Sequence, residues 1–233
     1  MSTPKNALLA RLPRAEQKSI LALCDTVELV SGTEIYQPGD NTRQVYFPRS
    51  GYLSLISRQP DTPKVEIGMV GREGYVGTQL VLGVPSAPWV VLVQGAGVAE
   101  RMPAVAFQKA VGGGGLLRSV LMRYMATLMV QFSIAAPCLR FHLLAPRLAR
   151  WLLMTQDRAE AAQFHATHEY LSYMLGVRRA GVTEAAGALQ RTGAIRYERG
   201  LITVLDRPLL EQSACSCYAA DVASYKSAMR PAG

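Results

Sequence analysis

Histidine and cysteine are scarce in this chain, at three and four of 233 residues. His142, His165 and His168 all lie in the C-terminal half. Residues 20–111, where short strands are predicted, therefore contain no histidine. That excludes an imidazole-ligated haem there, and the His-x-His plus carboxylate metal sites of small catalytic barrels. The four thiols stand at positions 24, 138, 215 and 217. A single N-terminal cysteine does not supply the clustered thiolates of an iron–sulfur sensor. No Gly-x-Ser-x-Gly elbow, Gly-Lys-Ser/Thr phosphate loop or paired-carboxylate motif is present, so catalysis is not expected. Acidic residues are also few, 17 against 25 Lys and Arg, a formal charge of +8. Such a balance favours a polyanionic partner or an anionic surface. The opening MSTPKNALLARLPRAEQ lacks the apolar core of a signal peptide, and the expected location is cytoplasmic.

Long apolar runs are equally rare. The strongest candidate, Leu116 to Leu139, is interrupted by Arg118, Arg123 and Pro137, which leaves too little for a bilayer span. No membrane association is expected. Within it Leu117, Leu121, Tyr124, Leu128, Gln131 and Ala135 recur at three and four residues, the pattern of a helix with one long buried seam. An identical helix across a two-fold axis is the simplest partner for that seam. Pro137 should kink or shorten the helix. Gly112–Gly115, with no Gly-Lys-Ser/Thr after them, read as a flexible joint before it.

With 49% hydrophobic residues the chain has material for two compact domains. Short β-prone runs at Val27–Leu29, Val45–Phe47, Tyr52–Ile56, Lys64–Met69 and Val90–Gln94 alternate with turn signals, and predict a sandwich or barrel. Helical patterns bracket it at Arg14–Cys24 and Pro103–Val111.

The stretch from Thr167 to Asp206 is the most specific. HEYLSYMLG and VRRAGVTEAAGALQRTG read as helix, turn and helix, with Thr167 as N-cap and Gly176 at the turn. Val182, Ala185, Ala186 and Leu189 give the second helix a buried face, and Gly193 ends it. Arg178, Arg179, Gly181, Thr183 and Glu184 remain outward, a group that can donate to guanine edges or phosphates and accept from cytosine. Ile195, Tyr197, Leu201, Thr203 and Leu205 then flank Glu198-Arg199-Gly200 as two strands of a hairpin. The module is a winged helix-turn-helix.

Through MLGVRRAGVTEAAGALQRTGAI and YERGLITVLDRPLLE the chain resembles the CRP/FNR superfamily of dimeric transcription regulators. The resemblance implies an α+β protein: an N-terminal antiparallel β-roll (double-stranded β-helix or jelly-roll type) over 1–115, a dimerisation helix over 116–143, and a winged helix-turn-helix domain over 144–233. It implies a homodimer on a palindromic double-stranded DNA operator, with RNA polymerase as a further partner. Arg179 is the first choice for base contact, followed by Arg178 and Glu184. Thr183, Arg191 and the wing residue Arg199 are expected at phosphates. Ala180 stands where well-known members place a base-reading Glu, so their operator is not expected here.

In the family, a Gly-Glu pair holds the ribose of a cyclic nucleotide and an Arg-Ser pair holds its phosphate. Aligning Gly77 with the family glycine puts Thr78, Ser86 and Ala87 at the other three positions. The phosphate cation is missing, so the pocket is degenerate and cyclic AMP is not expected to bind. No cofactor or metal is predicted, and the effector is left undefined. A ligand- or redox-responsive module acting through protein contacts is the alternative.

Leu144-Ala145-Pro146 reads as a hinge. The helix that follows is expected to bury Leu148, Trp151 and Leu152 and to expose Arg147 and Arg150. His165-x-x-His168 reads as a solvated loop pair. Cys215-Ser-Cys217 reads first as a helix-terminal pair, one half buried, with a metal pair or thiol switch left open.

Overall fold

The computed structural model describes residues 6–230. The chain forms two compact units, which are described separately. The first comprises residues up to Leu55, Met69–Met129 and the segment from Tyr225 onward; the second comprises Ile56–Gly68 and Val130–Ser224. This division cuts across the three segments drawn from the sequence.

The first unit is built on β-strands. β1 (Asp25–Leu29), β2 (Glu34–Tyr36), β3 (Gln44–Ser57), β4 (Val65–Val70) and β5 (Val90–Pro103) form one sheet in the order β1-β5-β3-β4, with β2 also on β5; Ile56–Ser57 of β3 and Val65–Gly68 of β4 are counted with the second unit. β1 runs antiparallel to β5, pairing Asp25 with Arg101 through to Leu29 with Gly97. The expected strands are present, with two differences. Val45–Phe47 and Tyr52–Ile56 belong to the single 14-residue strand β3, and β2 was not anticipated. β2 is three residues long, too short for an alternation to register. α1 (Arg14–Leu21) and α2 (Ala104–Gly112) bracket the sheet. Tyr75 centres the core, stacked on Phe47 at 5.7 Å and packed on Tyr124 at 5.6 Å and Phe107 at 6.0 Å.

α3 (Gly115–Phe141) is a single 27-residue helix. By length and composition it could cross a membrane, and 39% of its apolar window is buried. Pro137 neither ends it nor shortens it: the helix continues to Phe141, and Pro137 is exposed, so the carbonyl its ring leaves unbonded can face water. The periodic residues Leu117, Leu121, Tyr124, Leu128, Gln131 and Ala135 are all buried within their own chain, none more than 8% exposed. Tyr124 packs on Tyr75, for example, and Gln131 lies over Gly68. Their pattern marked a core face correctly, but a side chain already covered by its own chain is not available to a second copy. The face left open carries Ser119, Met122, Ala126, Met129, Ser133 and Ala136, again spaced by three and four, with Met122 and Met129 at 42% and 62% exposure.

The second unit holds α4 (Leu144–Ala159), β6 (Gln163–His165), α5 (His168–Leu175), α6 (Arg179–Arg191), β7 (Ile195–Glu198), β8 (Leu201–Val204), α7 (Arg207–Ser213) and, as far as Ser224, α8 (Cys217–Ala228). The sheet is three-stranded, β6-β8-β7, so the expected hairpin gains an edge strand in which Phe164 faces Ile202. Leu144-Ala145-Pro146 is the first turn of α4 and not a hinge loop; a proline in a first turn removes no helical hydrogen bond. Leu148, Trp151 and Leu152 are buried as expected. The two arginines are not outward. Arg147 is buried and donates to the Leu175 carbonyl at the end of α5, and Arg150 pairs with Asp221 at 2.9 Å.

Candidate nucleic-acid interface

Thr167 caps α5, its Oγ1 accepting from the Tyr170 amide at 3.1 Å. Gly176 closes the helix at φ 63°, where the amides of Gly176 and Val177 return to Tyr173 and Ser172. A side chain there would be strained, and the left-handed turn is what redirects the chain into α6. α6 buries Val182, Ala185, Ala186 and Leu189 and packs on α4 and α5. At its other end Gly193 takes φ 82° just past the helix.

Arg178, Arg179, Thr183 and Glu184 are exposed at the N-terminal end of α6. No side chain caps this helix, since Arg178 occupies the N-cap without such a bond. First-turn amides and two guanidinium groups thus sit together at a positive helix end, an arrangement suited to an anion. Gly181 does not belong to this surface. A Cβ there would come within 3.0 Å of Leu144 Cδ2, so the missing side chain faces α4 and allows the helices to approach. Arg191 lies in the last turn, about 18 Å along the helix axis from Arg179, where it complements the C-terminal dipole.

Thr183 is held rather than free. Its hydroxyl lies 2.9 Å from His168 Nδ1 and 3.2 Å from the Arg179 carbonyl. The His168 ring packs on Tyr197 at 4.5 Å, and Tyr197 donates its hydroxyl to the Ala166 carbonyl. His168 is therefore a structural contact of the recognition helix and not half of a loop pair with His165, which stands on β6. Burial, followed by the nearby Arg179, lowers its pKa from the ordinary imidazole value.

The wing turns tightly between β7 and β8. Arg199 and Gly200 take φ 50° and φ 84°, the left-handed pair of a two-residue hairpin, which presents the Arg199 side chain at the tip. Arg196, which the sequence reading passed over, is exposed on β7 next to it. Alternation was its signal: Ile195 is buried, Arg196 exposed.

The positions matching the nucleotide pocket carry no cation. Gly77 takes φ 92° and leads a 3-10 turn over Thr78–Leu82, with Thr78 buried. Gln79 Nε2 donates to Thr42 Oγ1 at 2.7 Å, Ser86 bridges to Asn41, and Ala87 is buried. Arg49 and Arg101, in the same sheet, are paired with Glu100 and Asp25.

Three of the four cysteines converge within the second unit. Cys138 at the end of α3 and His142 just beyond it meet Cys215 and Cys217, which flank the start of α8. Neither Cys215 nor Cys217 is the exposed half of a pair, because both are buried.

Residues 146–213 match the Crp-like helix-turn-helix domain. No curated protein matches the sequence. Similar solved structures include the c-di-GMP responsive global regulator CLP of Xanthomonas campestris, at 16% identity and TM-score 0.68 over 82% of this chain and 99% of that one. FixK2 of Bradyrhizobium japonicum is 16% identical, with TM-score 0.69 over 82% and 98%. A CRP/FNR-family transcriptional regulator of Eubacterium rectale is 19% identical, with TM-score 0.68 over 89% and 98%. This chain thus carries a Crp-like helix-turn-helix domain on a scaffold with the fold of the CRP/FNR transcription regulators.

Proposed function

We propose that the protein is a cytoplasmic transcription regulator that binds a palindromic DNA operator as a homodimer. The observation that carries this reading is the uncapped N-terminus of α6 with Arg178 and Arg179 exposed on it, beside a wing whose tip is Arg199. Arg179 and Arg178 read base edges with Glu184, while Arg196 and Arg199 hold flanking phosphates. Two copies pair through the open face of α3, along Ser119, Met122, Ala126, Met129, Ser133 and Ala136. Small and flexible side chains at that spacing let two helices approach closely. The recognition helices then enter successive major grooves about 34 Å apart. Gly77, Thr78, Ser86 and Ala87 offer a cyclic phosphate no cation, so the regulator does not respond to cyclic AMP. RNA polymerase is a further partner once the protein is seated at a promoter.

The test is selection from a random double-stranded DNA pool with untagged protein and no added ligand. A recovered palindrome with half-sites about one helical turn apart is the expected result. Failure to enrich any sequence, with and without cell extract or a redox agent, overturns the reading in favour of action through protein contacts.

A further inference from the structure

Three thiols and an imidazole converge on one point in the second unit. Cys138 and His142 are four residues apart at the end of α3, and Cys215 and Cys217 lie over 70 residues further along the chain. Their four ligand atoms all lie within 4.8 Å of one another. Cys138 Sγ is 3.6 Å from Cys215 Sγ, and Cys217 Sγ is 3.5 Å from His142 Nδ1. Zinc holds sulfur at about 2.3 Å and imidazole nitrogen at about 2.0–2.1 Å, which sets the edges of a regular tetrahedron at about 3.8 Å between sulfurs and about 3.6 Å between sulfur and nitrogen. The two observed separations match those edges. A structural iron–sulfur cluster is a poorer fit, since its ligands are normally all thiolate and surround a larger core.

The surroundings suit such an ion. Cys138, Cys215 and Cys217 are 2%, 9% and 7% exposed, and Ile134 packs against them. Three thiolates and one neutral imidazole around a divalent cation leave one net negative charge. Arg150 Nη1 lies 3.9 Å from Cys138 Sγ and faces that charge, while its Nη2 is fixed by Asp221. The Cys215 amide donates to the Pro146 carbonyl, so backbone also ties this loop to the first turn of α4. We propose that Cys138, His142, Cys215 and Cys217 form a Cys3His site for Zn2+, which clamps the end of α3 to the segment between α7 and α8. Binding displaces to solvent whatever protons the three thiols hold, with no change of oxidation state.

The experiment uses full-length untagged protein purified under reducing conditions. Elemental analysis should find about one zinc per chain, as a closed tetrahedral site takes one ion. After chelator treatment, titrated Co2+ should give sulfur-to-cobalt charge-transfer bands and the d–d bands of a tetrahedral ion. Cys215→Ser and His142→Ala should each weaken binding at least about tenfold, whereas Cys24→Ser, outside the cluster, should leave it unchanged. If the Cys215 variant does not fold, the wild-type cobalt spectrum and zinc release on titration with an organomercurial thiol reagent remain decisive. Three outcomes overturn the proposal: no zinc retained after reconstitution with excess metal, a cobalt spectrum without thiolate bands, or a Cys138–Cys215 disulfide in protein kept reduced.

Discussion

Thr183 Oγ1 and His168 Nδ1 lie 2.9 Å apart, joining the recognition helix to the first residue of the helix before it. Because His168 also packs on Tyr197 of β7, one small cluster fixes the angle of α6 and of the wing together. Thr183→Val keeps the shape and deletes the hydroxyl. It should lower stability by about 0.5–1.5 kcal/mol, the usual net worth of one hydrogen bond, while Thr183→Ser stays near wild type. Urea unfolding of the three proteins checks this. Equal stability of Thr183→Val and wild type would show that the pair does not hold the helix.

The same histidine gives stability a pH dependence with a definite sign. Burial first and Arg179 second depress its pKa in the folded chain, so the folded state binds fewer protons than the unfolded one near pH 6. The contribution is complete above the unfolded value of about 6.5, and is lost as pH falls below it toward the folded value. His168→Gln should flatten the stability profile between pH 7.5 and 5.5 relative to wild type. A parallel profile for the variant would assign the pH dependence to another group.

Arg179 and Arg199 should fail in different ways. Arg179 stands at the N-terminal end of α6, whereas Arg199 projects from the left-handed wing turn. Arg179→Ala should cost about 1–3 kcal/mol on the selected operator and relax specificity at one base pair. Arg199→Ala should weaken selected and scrambled DNA alike and reduce the salt slope by about one. Binding isotherms at several salt concentrations separate the two. Equal losses on both DNAs for Arg179→Ala would remove it from the reading set.

The legible parts of this molecule are those specified by neighbours in sequence. Thr167, Gly176 and Gly193 announced the helix ends because caps and left-handed turns act within a few residues. The wing showed in the β-prone runs around Arg199-Gly200 for the same reason. What escaped depends on which side of an element meets which partner. Periodicity identified the face of α3 with Leu121 and Tyr124, yet apolar spacing is the same whether the cover is the chain's own Tyr75 or a second copy. Arg147 and Arg150 read as solvent-facing because charge normally is, and their carbonyl and carboxylate partners, at Leu175 and Asp221, lie far along the chain. The Cys3His cluster was hidden likewise: Cys215-Ser-Cys217 shows two ligands, and the other two come from the end of α3.

The two faces of α3 should respond to substitution in opposite ways. Met129 is 62% exposed and Leu121 is fully buried. Met129→Glu places a charge on the proposed two-fold seam, opposite its own copy or close to it. It should convert dimer to monomer in analytical ultracentrifugation with little loss of secondary structure. Leu121→Ala opens a cavity in the first unit and should cost about 2–5 kcal/mol of stability, leaving any assembly defect secondary to unfolding. If Met129→Glu stays dimeric, the copies pair through another surface.

Arg150 and Asp221 should behave as a buried ion pair whose halves are worth less apart than together. Their side chains are only 13% and 11% exposed, with Nη2 2.9 Å from Oδ2. Asp221→Ala leaves the guanidinium buried without its carboxylate and should destabilise the chain by about 3–5 kcal/mol. Replacing both partners with apolar residues of similar size, Arg150→Met with Asp221→Leu, removes both desolvation costs and should recover most of that loss. The double variant also withdraws the charge beside Cys138, so its metal affinity should fall while its fold survives, a combination a purely structural ion pair would not produce. Chemical denaturation of the single and double variants, followed by zinc competition on the double, distinguishes the two roles.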